Sequence, residues 1–312
     1  MPSASRVVFL GNDAWSVPSL ARVVHATDLE VVSVVTNPPR PAGRGSRIRS
    51  TAVADAAVEF GAPLIEVDSV RDAGTMDRLR ALVPDLFLVV AFGELLPVDV
   101  LSIPKLGAVN LHFSLLPNWR GASPVQHALL HGDRLTGVTV MLMDRGLDTG
   151  EVLARVEEPV EPSDQAGSLG GRLAEIGAEL LVESVRAWVA GGLVPQPQRG
   201  TPTYAPKLTP LDRMLDWTAP AMELVNRIRA LAPVPGARTA WRGAAMNVLR
   251  AEPGEDFPGA PGEVVASESG GVLVKTGSGA VRLLEVAPAG RRRMSAADWA
   301  RGARPSPGDR LG

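Results

Sequence analysis

The sequence of 312 residues contains no cysteine. Disulfides, cysteine-ligated zinc, iron–sulfur ligation and thiol nucleophiles are therefore excluded, and nothing points to an oxidising compartment. Aromatic residues make up only 4% of the chain, which is poor material for the stacking platforms of single-strand-binding modules. Lysine is scarce as well, with Lys105, Lys207 and Lys275 the only three beside many arginines. The apolar run Leu86–Phe92 spans seven residues, far short of the ~20 that a membrane-spanning helix needs. The stretch Met1–Asp13 lacks the long hydrophobic region and small-residue cleavage signal of a secretory leader. A cytoplasmic protein with no membrane association is expected.

Hydrophobic residues account for 45% and charged residues for 21% of the chain, a globular composition with length enough for two domains. The net charge of −2 conceals an asymmetry. Up to Pro206 there are 17 Lys+Arg against 23 Asp+Glu, whereas from Lys207 onward there are 15 against 11. The second part could face a polyanion, or its arginines could simply be scattered over the surface.

Arg6–Gly11, Leu29–Thr36, Asp85–Phe92 and Ala108–Phe113 read as strands rich in apolar and β-branched residues. Helical patterns at Val17–His25, Thr51–Phe60 and Thr75–Leu82 lie between them. That alternation predicts an α/β fold with a Rossmann-like, mostly parallel sheet covered on both faces. Val138–Asp144 adds a strand, and Ser168–Ala190 a long amphipathic helix. Residues 191–207 hold four prolines and read as an extended linker. Beyond a helix at Ala219–Ala232, short strands follow, with a hairpin over Gly271–Val286. These predict a smaller, OB-like β-barrel. The expected organisation is a catalytic domain over 1–190, a linker over 191–207 and a barrel domain over 208–312.

The first strand-to-helix turn, Gly11–Ser16, has one glycine where a dinucleotide fingerprint has three, so NAD-type binding is disfavoured. His127 and His131 stand one helical turn apart, but Ala128 occupies the position where a zincin motif carries glutamate. No metal is expected. The informative stretch is NLHFSLLPNWRGASP, Asn110–Pro124. Strand alternation sends Asn110 and His112 to one face, close to the strand's C-terminal end. An amide donor beside an imidazole suits oxyanion stabilisation with proton transfer, although such a pair can also be structural. The glycine-flanked loop MDRGLDTG, Met143–Gly150, offers Asp148 to orient His112, or merely as a turn residue.

Together, NLHFSLLP, the following WRGA at Trp119–Ala122, and GLDTG at Gly146–Gly150 resemble the 10-formyltetrahydrofolate-dependent formyltransferase family. RPAGRG at Arg40–Gly45, TYAPKL at Thr203–Leu208, Asp216-Trp217 and PAGRRRMSAA at Pro288–Ala297 resemble its branch acting on methionyl initiator tRNA. The likeness runs from the first strand to Ala297, departing at Pro39 and in Gly45–Arg49. It implies that Asn110, His112 and Asp148 are catalytic. It also implies that Ser114, Leu115, Leu116 and Pro117 line a folate site, with backbone of Gly93–Leu96 reaching the pterin. Arg40, Arg44 and Lys207 would meet the tRNA. The implied co-substrate is 10-formyltetrahydrofolate, with no metal, and a monomer is expected.

The implied reaction transfers a formyl group to the methionyl α-amino group, for translation initiation. Asn110 and His112 would stabilise the tetrahedral oxyanion, and Asp148 would orient His112 and assist proton transfer. Two alternatives stand beside it. A small amine acceptor would make a basic barrel domain superfluous, and a nucleic-acid-binding module without catalysis would have no use for the Asn/His/Asp set.

Overall fold

The computed structural model describes residues 4–42, 47–267, 271–306 and 308–312. The chain divides into two compact units. One comprises Met1–Pro124, Leu135–Pro159 and Gly170–Pro206, the other Val125–Arg134, Val160–Leu169 and Lys207–Gly312.

β1 (Ser5–Gly11), α1 (Val17–Val24) and β2 (Leu29–Thr36) follow the apolar runs of the sequence. Next comes a short antiparallel pair, β3 (Arg40–Ala42) with β4 (Arg47–Arg49). The Arg40–Arg49 segment therefore has paired ends. Three-residue strands leave no periodicity to detect, and Ile48 is exposed. Arg44 lies outside the described residues. Then follow α2 (Ala52–Glu59), β5 (Leu64–Glu66), α3 (Ala73–Ala81), β6 (Leu86–Val90), α4 (Val98–Leu101) and β7 (Ala108–His112). After α5 (Pro124–Leu130) come β8 (Leu135–Leu142), β9 (Val152–Pro159) and α6 (Ala166–Val189).

Seven strands form one sheet in the order β5-β2-β1-β6-β7-β8-β9. Pairing is parallel from β5 to β7 and antiparallel from β7 to β9. The sheet is thus mostly parallel with an antiparallel edge. Every residue of β6 and β7 is buried, as covering on both faces demands. Phe87, Val89, Val8 and Leu10 anchor a core cluster, each such side chain contributing ~1.5–3 kcal/mol by leaving water. Asp85 pins the strand entrance: its carboxylate accepts from Lys105 Nζ at 2.8 Å and from the Arg6 backbone N–H at 2.9 Å. The Lys105 bond foremost, then the Arg6 N–H, hold its carboxyl below the usual carboxylate range.

At the other end of these strands the glycine-poor first turn is braced by Asn12. Its Oδ1 accepts from Thr36 Oγ1 and the Asn37 N–H, both at 2.7 Å, and its Nδ2 donates to Asn37 Oδ1 and the Phe92 carbonyl. A side chain thereby ties together the ends of β1, β2 and β6, where a dinucleotide-binding turn would keep bare backbone.

The second unit contains α7 (Ala221–Leu231), β10 (Ala237–Trp241), β11 (Ala244–Gly254), β12 (Val264–Ser267), β13 (Gly271–Lys275), β14 (Ala280–Pro288), β15 (Met294–Ser295) and α8 (Ala296–Ala303). Its antiparallel sheet runs β10-β11-β14-β13-β12, with β15 on β14, and is OB-like. Arg310 and Leu311 bridge the two edges: Leu311 pairs with Trp241 of β10, and Arg310 with Glu263 just before β12. Leu311 is buried within the same core as Trp217, Val248 and Val281. The scarce tryptophans serve packing here. Trp217 donates its indole N–H to Thr239 Oγ1 at 3.0 Å, and Trp241 meets Trp299 edge-on. Among the described residues no helix is long and apolar enough to cross a membrane.

Candidate active site

β7 delivers Asn110 and His112 to the same face, and both are buried, at 9% and 5% exposure. The Asn110 carboxamide has no hydrogen-bond partner among the described residues, which leaves its donors available to a ligand. His112 is held at both nitrogens. Nε2 lies 2.9 Å from the Trp119 carbonyl, an acceptor only, so Nε2 carries a proton. Nδ1 lies 3.7 Å from Asp148 Oδ2, and the two side chains are 6% and 13% exposed.

Asp148 reaches this position by an indirect route. β8 runs antiparallel to β7, so its last residue pairs with Val109, and the Met143 N–H donates to the Ala108 carbonyl. The loop after β8 therefore leaves at the wrong end of β7 for His112 and must turn back. Asp144 starts the turn, accepting from the Gly146 N–H and Thr149 Oγ1 at 2.9 and 2.5 Å. At Gly150 a Cβ would fall 1.7 Å from the Leu142 carbonyl oxygen, so only glycine closes the loop there. Asp148 itself sits at φ +51°, a left-handed conformation that Asp and Asn tolerate better than most residues. Its Oδ2 also accepts the Gly121 N–H at 2.7 Å. Gly121 has φ +125°, and a Cβ there would lie 2.6 Å from the Ala205 carbonyl oxygen.

The turn after β7 is braced from within. Ser114 is fully buried; its hydroxyl donates to the Asn118 carbonyl at 2.5 Å and its carbonyl accepts from Thr139 Oγ1 at 2.6 Å. Thr139 Oγ1 in turn accepts the Leu116 N–H at 3.1 Å. Leu116 and Pro117 are buried and Leu115 is half-buried. Ser114 and Leu116 thus shape the turn from the protein side. The Gly93–Leu96 loop is anchored through Glu94, which accepts from Ser69 Oγ at 2.5 Å and the Val70 N–H at 3.1 Å.

Residues 191–207 contain no helix and no strand beyond isolated bridges, and those up to Pro206 belong to the first unit. The Arg120 N–H donates to the Thr203 carbonyl at 2.9 Å, and the Ala205 N–H to the Arg120 carbonyl at 2.8 Å. The Trp119 N–H donates to Thr203 Oγ1 at 2.9 Å. Gln196 pairs with Val152 of β9. Sequence reasoning missed Thr139, Thr203 and Gln198, whose partners are all distant in sequence. A cavity of about 420 Å³ opens between β9 and Gln196–Arg199, but neither Asn110 nor His112 lines it.

Arg40 is exposed and lies 3.6 Å from Asp68, and Lys207 is exposed at the start of the second unit's main segment. His127 and His131 stack on one another with ring centroids 5.9 Å apart. Among the described residues no group of three or more His, Asp or Glu side chains is placed to hold a metal.

Residues 5–185 match the formyl transferase family, and residues 207–304 match the formyl transferase C-terminal domain. The methionyl-tRNA formyltransferase of Thermobifida fusca is 49% identical over 98% of this chain and 99% of its own. That of a Roseiflexus species (strain RS-1) is 45% identical over 98% of this chain and 95% of its own. Among solved structures, HypX from Aquifex aeolicus in complex with tetrahydrofolic acid shares the fold, with a TM-score of 0.64 at 20% identity. That similarity spans 96% of this chain and 48% of HypX. With both domains matched and identity near one half over almost the whole length, the chain belongs to the methionyl-tRNA formyltransferase family.

Proposed function

We propose that this chain transfers the formyl group of 10-formyltetrahydrofolate to the α-amino group of methionyl initiator tRNA, with Asn110, His112 and Asp148 as the catalytic set. One observation carries the reading: a buried carboxamide without a protein partner lies on the same strand face as an imidazole backed by a carboxylate. At 9% exposure the Asn110 side chain is mostly enclosed, yet its amide atoms are not sealed off, so they are open to a ligand.

The nucleophile needs no covalent or metal activation, because an α-amino group with a pKa of about 8 is about a tenth neutral at pH 7 and about half neutral at pH 8. Its nitrogen attacks the formyl carbon, the C=O pair moves onto oxygen, and a tetrahedral oxyanion forms. Asn110 Nδ2 is the direct donor to that charge. His112 joins it by exchanging the neutral Trp119 carbonyl for the oxyanion, since hydrogen bonds to a charged acceptor are roughly twice as strong. A single well-aimed donor of this type is worth ~3–4 kcal/mol in the transition state. The amine proton moves to His112 Nδ1, the nitrogen that faces Asp148, and the carboxylate orients the ring and stabilises the imidazolium until the proton passes on to N10. Collapse breaks the bond from the formyl carbon to N10, which takes up a proton, leaving tetrahydrofolate and the formylated ester.

Ser114–Pro117 and Gly93–Leu96 supply the folate-facing backbone. Arg40, Arg44 and Lys207 contribute phosphate contacts, and the excess of 15 Lys+Arg over 11 Asp+Glu from Lys207 onward suits a polyanionic acceptor. The enzyme acts in the cytoplasm as a monomer. The test is formyl transfer from 10-formyltetrahydrofolate to methionyl initiator tRNA, beside methionyl elongator tRNA and small amines. Preference for the initiator tRNA is expected; preference for a small amine overturns the choice of acceptor.

A further inference from the structure

We propose that Gln198 is a positioning residue for formyl transfer, clamping the Asp148 loop to Arg120 so that the Asp148 carboxylate stays against Gly121 and His112. The proposal rests on the reading of Asn110, His112 and Asp148 as the reaction site.

All the hydrogen-bonding capacity that matters at Gln198 is used, and all of it joins these two loops. Nε2 donates to the Asp148 carbonyl at 2.9 Å and to the Gly150 carbonyl at 2.8 Å. Oε1 accepts from Arg120 Nε at 3.2 Å and Nη2 at 2.7 Å. The orientation of the amide follows from its partners, because carbonyls only accept and a guanidinium only donates. Gln198 therefore grips the backbone of the very residue whose side chain faces His112.

That backbone is where a clamp has most effect. The loop leaves β8 at the far end of β7 and returns with Asp148 at φ +51°. Asp144 holds the loop through the Gly146 N–H and the Thr149 hydroxyl, but bonds neither Asp148 nor the carbonyl of Gly150. Those two are fixed by Gln198 on the main chain, and the Asp148 carboxylate by Gly121. The clamp has a firm base. Its own segment is bonded to Trp119 and Arg120 through Thr203 and Ala205 and to β9 through Gln196. Arg120 and Gly121 are adjacent, so the guanidinium that Gln198 holds and the N–H that Asp148 accepts move together. Gln198 touches no reacting atom in the proposed mechanism, and its effect passes through Asp148.

The experiment uses the full chain, with Gln198→Leu and Gln198→Glu assayed for formyl transfer to methionyl initiator tRNA. Gln198→Leu is expected to lower kcat about tenfold or more, with KM for both substrates within about twofold, since slight misplacement of a catalytic group is costly. Gln198→Glu keeps an acceptor for Arg120 but turns oxygen toward two carbonyls, so it is expected to fail similarly. In an Asp148→Asn background the added loss from Gln198→Leu shrinks below about twofold, the non-additivity of residues acting as a unit. Thermal unfolding of each variant separates positioning from folding. A folded Gln198→Leu enzyme with wild-type kcat overturns the proposal, as does an equal fold-loss in both backgrounds. A wild-type chain without formyl transfer, or an Asp148→Asn variant with full kcat, sinks the site reading and the clamp together. An active wild type, an impaired Asp148→Asn and an unimpaired Gln198→Leu refute the clamp alone.

Discussion

Asp148→Asn is the sharpest test of the site, because the structure separates the charge of Asp148 from its shape. The residue sits at φ +51°, where Asn is tolerated and alanine would add strain. The Gly121 N–H, 2.7 Å from Oδ2, can be received by the amide oxygen of Asn. Gln198 bonds the main chain of residue 148 and is unaffected. What disappears is a negative charge 3.7 Å from His112 Nδ1. At an effective dielectric constant of about 20, a full charge pair at that distance is worth ~4 kcal/mol, or about three decades in rate when an imidazolium forms in the transition state. Some of that is returned by relaxation and solvent, so a fall in kcat of ~10²–10³ is expected. The assay is single-turnover formyl transfer at saturating tRNA, with thermal unfolding as control. A folded variant within threefold of wild-type kcat would refute the electrostatic role, and an unfolded one would make Asp148 a turn residue.

Asn110→Ala and His112→Ala are each expected to lower kcat by ~10²-fold or more while tRNA affinity measured by filter binding stays near wild type; a strong loss of affinity would contradict a transition-state role. Leu311→Ala removes a buried side chain that joins the two edges of the barrel, and is expected to destabilise the second unit by ~2–4 kcal/mol in urea unfolding. An unchanged midpoint would show that the closure is dispensable. The Asp85 carboxyl, lowered from 3.8 chiefly by Lys105 and then by Arg6, contributes stability that is present above that value and lost as pH falls through the lower folded value. Asp85→Asn should accordingly lie below wild type in stability at pH 7 and converge with it in acid; a gap independent of pH would remove the ion pair from the account.

The strands of the sheet's centre were legible because two buried faces impose unbroken apolar runs, so β1, β2, β6 and β7 stand out. β9 was not, because as an edge strand only Leu153 is buried and Glu157 and Glu158 interrupt it. Three-residue elements such as β5 and the β3–β4 pair fall below any detectable period. The closure of the barrel by Arg310 and Leu311 has no local signature either, since a two-residue bridge is defined only by what it lies between. At the site, Asn110, His112 and Asp148 could be named from residue chemistry and family resemblance. The segment 191–207 shows the limit: its prolines exclude regular helix, but they also remove the ladder pattern by which its attachment would be recognised. Its bonds run instead through Thr203 and Gln198 to partners 48–84 residues away.

The proposed chemistry explains why so few side chains assigned to catalysis rest on so much supporting structure. An amine attacking an activated formyl group needs neither a covalent intermediate nor a metal-generated nucleophile, so the barrier falls mainly by meeting the oxyanion with donors already in place. Donors act only if they are aimed, and aim is a property of backbone. β7 fixes Asn110 and His112 through its sheet neighbours. Asp148 has no strand to hold it and arrives on a loop that doubles back. Its placement is therefore secured by hydrogen bonds from Gly121 and Gln198, and the proline-containing segment that carries Gln198 is itself tied to the turn bearing Gly121. Of the three residues proposed as catalytic, the one carried on a loop is thus the one for which the fold recruits distant parts of the first unit.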